Sequence, residues 1–146
     1  MEIRLLKGED YPALYALWQS VPGMGLNSAD DTETGIQRFL ARNPDTCFAA
    51  EENGQLIGAI MAGYDGRRAV IYHTAVAKDY QSRGIGSALV ETLLNKLKEK
   101  EITKVFLVVF KHNEAGNAFW QSNGFYERED LCYRDMSLTE MERYDT

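Results

Sequence analysis

Gln81, Ser82, Arg83, Gly84, Ile85 and Gly86 lie between an apolar, strand-like run ending at Val76 and a long amphipathic run that follows. Two glycines two residues apart at such a junction constrain the fold more than any other segment. They require a strand, a tight turn and a helix in succession, and they let backbone approach a bulky anion closely. The helix that follows starts with unpaired N–H groups and the positive end of its dipole. Together these features describe a pyrophosphate cradle.

A chain of 146 residues reads as one domain over 1–146, long enough to bury a core. No apolar run approaches the roughly 20 residues that span a bilayer, so no membrane partner is expected. The N-terminal residues lack the basic flank, apolar run and cleavage site of a signal peptide, which makes the cytoplasm the expected compartment. With 22 acidic and 16 basic residues the net charge is −6. Such a surface repels phosphate backbones, which argues against nucleic acid as a partner, and it suits a cationic amine. Cys47 and Cys132 fall inside strand-like patterns and read as buried free thiols. Neither has metal-ligand spacing, and no metal is expected.

Residues 2–6 alternate and predict a first strand. Asp10, Tyr11, Leu14, Leu17 and Trp18 predict a helix. Pro22, Gly23 and Gly25 make 20–31 a loop. Asp31 or Thr32 caps a second helix carrying Ile36, Phe39 and Leu40, which ends before Asn43 and Pro44. Strands follow at 46–51, 55–64 and 69–76, with turns at Asn53-Gly54 and Asp65-Gly66. Ile85, Leu89, Val90, Leu93, Leu94 and Leu97 form a helical stripe, with Lys96, Lys98 and Lys100 toward its C-terminal end. Residues 105–110 form a continuous apolar run, as in a strand covered on both faces. A short helix over 115–122 ends at Asn123-Gly124, and 125–128 and 131–138 read as closing strands. The predicted fold is α/β (α+β): a mixed, mostly antiparallel sheet flanked by helices.

Closely spaced glycines occur in three anion-binding loops. A P-loop needs Lys and then Ser or Thr after its second glycine, whereas Ser87 and Ala88 stand here. A dinucleotide fingerprint needs a third small residue, and Leu89 occupies that place. The remaining candidate is the Gln/Arg-x-x-Gly-x-Gly/Ala loop that wraps the pyrophosphate of coenzyme A. On residues 76–86, and on Asn113-Glu114, Phe119-Trp120 and Gly124-Phe125 downstream, the chain resembles the GNAT superfamily of N-acetyltransferases over nearly its whole length.

The resemblance implies a sheet in which strands 69–76 and 105–110 splay apart to admit acetyl-CoA as cosubstrate. It implies that Thr74, Ala75 and Val76 pair with the pantetheine arm. Backbone around Gln81, Ser82, Arg83, Gly84, Ile85, Gly86 and Ser87 would hold the pyrophosphate, with Asn113 as a further cofactor-binding residue or a helix cap. It further implies direct attack of a small-molecule or peptide amine on the thioester, with the Val76 N–H facing the developing oxyanion. Members that acetylate ribosomal-protein N-termini commonly have Glu near the end of the penultimate parallel strand and Tyr where Trp120 stands; here the former position is Val108. The familiar base and acid therefore do not transfer. His73 is the candidate base, and Tyr72 and Tyr126 are further candidates, with His112 and Tyr133 as local alternatives. Asp30, Asp31 and Glu33 either attract a cationic acceptor or form a solvated helix start. The missing acid and base also leave room for a non-catalytic acyl-CoA sensor or interaction module. Dimers are frequent in the family, which leaves a homodimer open.

Overall fold

The computed structural model describes residues 1–144. In chain order the elements are β1 (Glu2–Leu5), α1 (Tyr11–Ser20), β2 (Leu26–Asn27), α2 (Glu33–Arg42), β3 (Cys47–Glu52), β4 (Gln55–Tyr64), β5 (Ala69–Val76), α3 (Ile85–Glu99), β6 (Val105–Phe106), α4 (Glu114–Ser122) and β7 (Arg143–Tyr144). The main sheet has the order β1-β3-β4-β5-β6, antiparallel throughout except for the parallel pair β5–β6. No helix among the described residues is long and apolar enough to cross a membrane.

Each face of the sheet carries its own core. On one side Leu14, Leu17 and Trp18 of α1 and Ile36 and Leu40 of α2 pack on Cys47, Ala49, Ala59, Met61 and Ala75. On the other, Leu89, Val90, Leu93 and Leu97 of α3 and Trp120 of α4 pack on Ala50, Ile60, Ala62, Ala69 and Ile71. The periodic stripe of α3 is thus its buried face. Asn53-Gly54 closes the β3–β4 hairpin as a two-residue turn, because Glu52 pairs with Gln55. At the first helix, Arg4 makes two 2.9 Å hydrogen bonds to the carboxylate of Asp10 and a third to Glu51. This network fixes β1 to the start of α1.

Several sequence expectations are corrected. Residues 105–110 do not form a strand covered on both faces. Only Val105 and Phe106 pair, and the run is one-sided: Val105, Leu107 and Val109 meet the α3 core, while Phe106, Val108 and Phe110 are exposed. Residues 125–128 and 131–138 are not strands. Tyr126, Leu131, Tyr133, Met136 and Leu138 along them are exposed. Strand propensity reflects fit to a pleated, half-buried surface, and these segments have no ladder to join. Cys132 is exposed, whereas Cys47 is buried as expected. The 20–31 loop contains β2, which pairs with β7 and ties the C-terminal segment to that loop. Thr32, not Asp31, caps α2, accepting the Gly35 N–H at 3.0 Å.

Candidate active site

Parallel pairing between β5 and β6 is limited to Ala69–Val105 and Val70–Phe106. Beyond Val70 the β6-facing edge of β5 has no strand partner among the described residues, while its other edge stays paired with β4 as far as Val76. The Ala77 N–H donates to the Ile57 carbonyl at 2.7 Å, and this bond sets the phase of the ladder. Hydrogen-bonded and non-bonded pairs alternate along an antiparallel pair. The backbone groups of Ala75 therefore point at β4, and those of Thr74 and Val76 point into the gap. The Val76 carbonyl accepts from Gln81 Nε2 at 3.0 Å, so its N–H is the group left facing the opening.

The loop after β5 carries two exceptions to ordinary backbone geometry, one residue apart. Ser82 has φ +64° and Gly84 φ +81°, both left-handed. For Ser82 this conformation costs on the order of 1–2 kcal/mol, strain of the kind that collects at functional sites. No side chain caps α3 at Gly84, and the first intrahelical bond runs from the Ala88 N–H to the Gly84 carbonyl at 3.0 Å. The amides of Ile85, Gly86 and Ser87 therefore have no intrahelical acceptor and lie at the positive end of the dipole. The two glycines have different reasons. A Cβ at Gly84 would meet nothing within 4 Å, so its conformation is what requires glycine. A Cβ at Gly86 would lie 2.9 Å from Phe119 Cε1, so there α3 and α4 need the room. The Ile85 side chain is buried in the core, Ser87 is exposed, and the Arg83 guanidinium lies 5.1 Å from the Tyr80 ring centroid.

The apex of the gap carries a β-bulge. Ile60 pairs with Thr74 and Ala62 with Ile71, so Tyr72 and His73 together oppose Met61. The extra residue shifts the side-chain alternation. Ile71 and Val76 face α3, whereas Ala75 faces α1. Tyr72 and His73, adjacent in sequence, both reach the α1/α2 side: the Tyr72 ring meets Phe39 edge-on at 5.5 Å, and His73 meets Trp18 edge-on at 4.7 Å. Burial, with the charge of Asp30 second, pushes the Tyr72 phenol above its ordinary value.

His73 Nε2 lies 2.7 Å from Asp31 Oδ1. Asp31 is 2% exposed, and its other carboxylate oxygen accepts the Asn27 N–H at 2.8 Å. Its carbonyl accepts the Tyr11 hydroxyl at 2.6 Å. Asp31 is therefore no solvated helix start, although Asp30 and Glu33 are exposed. Reading along the sequence missed this pair because its members are 42 residues apart and no local pattern joins them.

Other predicted residues are placed less centrally. Asn113 caps α4, accepting the Gly116 N–H at 2.9 Å. The 20–25 loop crosses beside it: a Cβ at Gly23 would lie 3.2 Å from Asn113 Nδ2, and one at Gly25 the same distance from Phe110. His112 stacks on Phe110, and Tyr126, 70% exposed, has no role in the pair at the bulge. Trp120 is packed edge-on between Phe119 and Phe125, which makes it core.

The sequence profile of the acetyltransferase (GNAT) family matches residues 11–125. The chain belongs to that family. A Pectobacterium atrosepticum protein described as acetyltransferase ECA0875 is 37% identical over 115 residues, 79% of this chain and 80% of its own length. Acetyltransferase SG1711 of Sodalis glossinidius is 32% identical over 144 residues, covering 99% of this chain and all of that protein. The PaiA N-acetyltransferase of Thermoplasma acidophilum, solved in complex with coenzyme A, shares the fold with a TM-score of 0.77 at 20% identity, covering 98% of both chains. As a GNAT family member the chain is an acyltransferase, and its mixed, mostly antiparallel sheet flanked by helices matches the fold of solved GNAT structures. Two sequence signatures, the glycine loop and the Asn113-to-Phe125 segment, lie within or at the end of the matched span.

Proposed function

We propose that this acyltransferase moves the acetyl group of acetyl-CoA to the nitrogen of a primary amine on a small molecule or peptide, by direct attack. One observation carries the reading: past Val70 and Phe106 the parallel strands part, and the amides of Thr74 and Val76 face the gap beside an uncapped helix and a left-handed loop. A pantetheine arm fits that edge as an added strand, and a diphosphate fits the free amides of Ile85, Gly86 and Ser87. Asn113, at the start of α4 beside the 20–25 loop, is a further residue we assign to the cofactor.

The thioester then sits toward the bulge, where Tyr72 and His73 face the acceptor side. An alkylamine with a pKa near 10.4 is neutral in only about one molecule in 2,500 at pH 7, a cost of ~4.6 kcal/mol. A base that removes the proton is worth roughly 10²–10⁴-fold. His73 is the group we assign to it. The amine nitrogen bonds to the thioester carbon, the C–S bond breaks, and the sulfur leaves with the electron pair. The amine proton passes to His73, and the thiolate leaves as coenzyme A thiol after taking a proton, for which the Tyr72 hydroxyl is the candidate donor, regaining its proton from solvent. The Val76 N–H stabilises the carbonyl oxygen as it gains charge.

The test is calorimetric titration with acetyl-CoA, followed by a free-thiol assay over putrescine, lysine methyl ester, an aminoglycoside and a peptide with a free N-terminus. Binding with thiol release that His73→Ala lowers by about 100-fold or more supports the reading. Binding without release across the panel favours an acyl-CoA sensor, and absence of binding rejects both.

A further inference from the structure

Two residues apart from the coenzyme cradle remain to be accounted for: the buried carboxylate of Asp31 and the orientation of the His73 ring. A carboxylate removed from water is costly unless paired and hydrogen-bonded. Asp31 is paired on both oxygens, to the Asn27 N–H and to His73 Nε2. Its place is fixed further by Tyr11 through its carbonyl, and by Asn27, whose side chain accepts the N–H groups of Ala29 and Asp30 at 3.0 and 2.7 Å. The whole turn from Asn27 to Asp31 is thus built to present one carboxylate to one imidazole. Trp18, fully buried, packs edge-on against that ring and limits its rotation.

An ionised carboxylate only accepts hydrogen bonds, so the nitrogen it meets must carry the hydrogen. Neutral His73 is then the Nε2–H form, with its lone pair on Nδ1. Among the described residues Nδ1 has no hydrogen-bond partner, and it is not a buried unpaired atom: the Trp18 indole nitrogen alone has that status. Nδ1 is therefore not sealed from solvent, in a side chain that is 14% exposed.

We propose that Asp31 is a positioning residue: it holds His73 in the tautomer whose Nδ1 lone pair takes the proton from the attacking amine. The inference rests on the assignment of His73 as the base. In the step, the amine N–H bond breaks toward Nδ1 as the nitrogen bonds to the thioester carbon, and Asp31 faces the imidazolium that results. The α1–α2 loop thereby acts on the chemistry through the ring it orients, with no contact to either substrate required of Asp31.

The experiment is nitrogen-15 NMR of the full-length chain at a pH where the ring is neutral. His73 and His112 are the sole histidines, so a His112→Gln variant assigns the signals. The expected spectrum shows a protonated Nε2 and an unprotonated Nδ1 on His73. An unprotonated Nε2, or an even mixture, overturns the proposal, and this measurement needs neither an acceptor nor a substitution at Asp31. The second arm is Asp31→Asn, whose amide can donate to Nε2 and so favours the opposite tautomer. In the free-thiol assay it should lower kcat by about 100-fold while the KM for acetyl-CoA moves less than about twofold, with the Nδ1–H signal appearing. A purely structural Asp31 would instead lower thermal stability and leave the tautomer unchanged, which contradicts the proposal. Impaired His73→Ala beside a fully active Asp31→Asn sinks the part given to Asp31 alone. A fully active His73→Ala sinks the assignment of the base beneath it.

Discussion

Substituting the two glycines separately should give two different failures, because the structure assigns them different constraints. Gly84→Ala has room for its methyl but must hold φ near +81°. The left-handed conformation costs a non-glycine residue about 1–2 kcal/mol. Gly86→Ala has an ordinary φ but drives a methyl to 2.9 Å from Phe119 Cε1 and 3.0 Å from its Cζ. Overpacking of this kind costs about 1–3 kcal/mol, and the partly exposed ring can move, so the lower half of that range is expected. At roughly 2–4 °C per kcal/mol for a chain of this size, Gly84→Ala and Gly86→Ala should each lower Tm by ~2–8 °C. The discriminating variant is Phe119→Leu. It should restore most of the Gly86→Ala loss, with a coupling of at least about 0.5 kcal/mol, and leave the Gly84→Ala loss unchanged. Thermal denaturation of the three single variants, the two double variants and the wild type gives both cycles. Acetyl-CoA titration should show weakened binding for Gly84→Ala even in the Phe119→Leu background. Strict additivity of Gly86→Ala and Phe119→Leu, or rescue of Gly84→Ala by Phe119→Leu, would refute the reasoning.

Burial pushes the Cys47 thiol up to about 12, whereas Cys132 is exposed. A thiol reagent at pH 8 should therefore label one cysteine per native chain and two in denaturant, and labelling of both in the native state contradicts the placement. The Arg4 guanidinium, donating to both oxygens, holds the Asp10 carboxyl below the usual carboxylate range. A depressed carboxyl stabilises the fold above its ordinary value near 3.8 and loses that contribution as pH falls through the folded one. Asp10→Asn should then lower stability by about 1–2 kcal/mol at pH 7 in urea titration, with the difference shrinking below pH 4. A difference that grows on acidification has the wrong sign.

How much was legible in the sequence follows from how local each signal is. The α3 stripe, the Asn53-Gly54 hairpin and the glycine loop are encoded within a few residues, and each stands where the sequence places it. The segment after α4 spaces Leu131 and Tyr133, and Met136 and Leu138, two residues apart as a strand would, but none of them joins a ladder. Cys132 followed them, since its expected burial depended on that ladder. The bulge at Tyr72 and His73 has no sequence mark: it arises from a register mismatch between β4 and β5. The Asp31–His73 pair depends on that bulge and on a loop 42 residues upstream. Reading Asp31 as part of a helix start was reasonable for its neighbours, and Thr32 takes that role. Gly86 shows the reverse case, a residue expected at the anion loop that also answers to Phe119 on the opposing helix.

A crystal structure of the chain with coenzyme A tests the central reading most directly. The diphosphate is expected within hydrogen-bond distance of the Ile85, Gly86 and Ser87 amides, with the pantetheine amides against Thr74 and Val76. A diphosphate bound elsewhere, or a pantetheine arm that leaves the open edge of β5 bare, would contradict it.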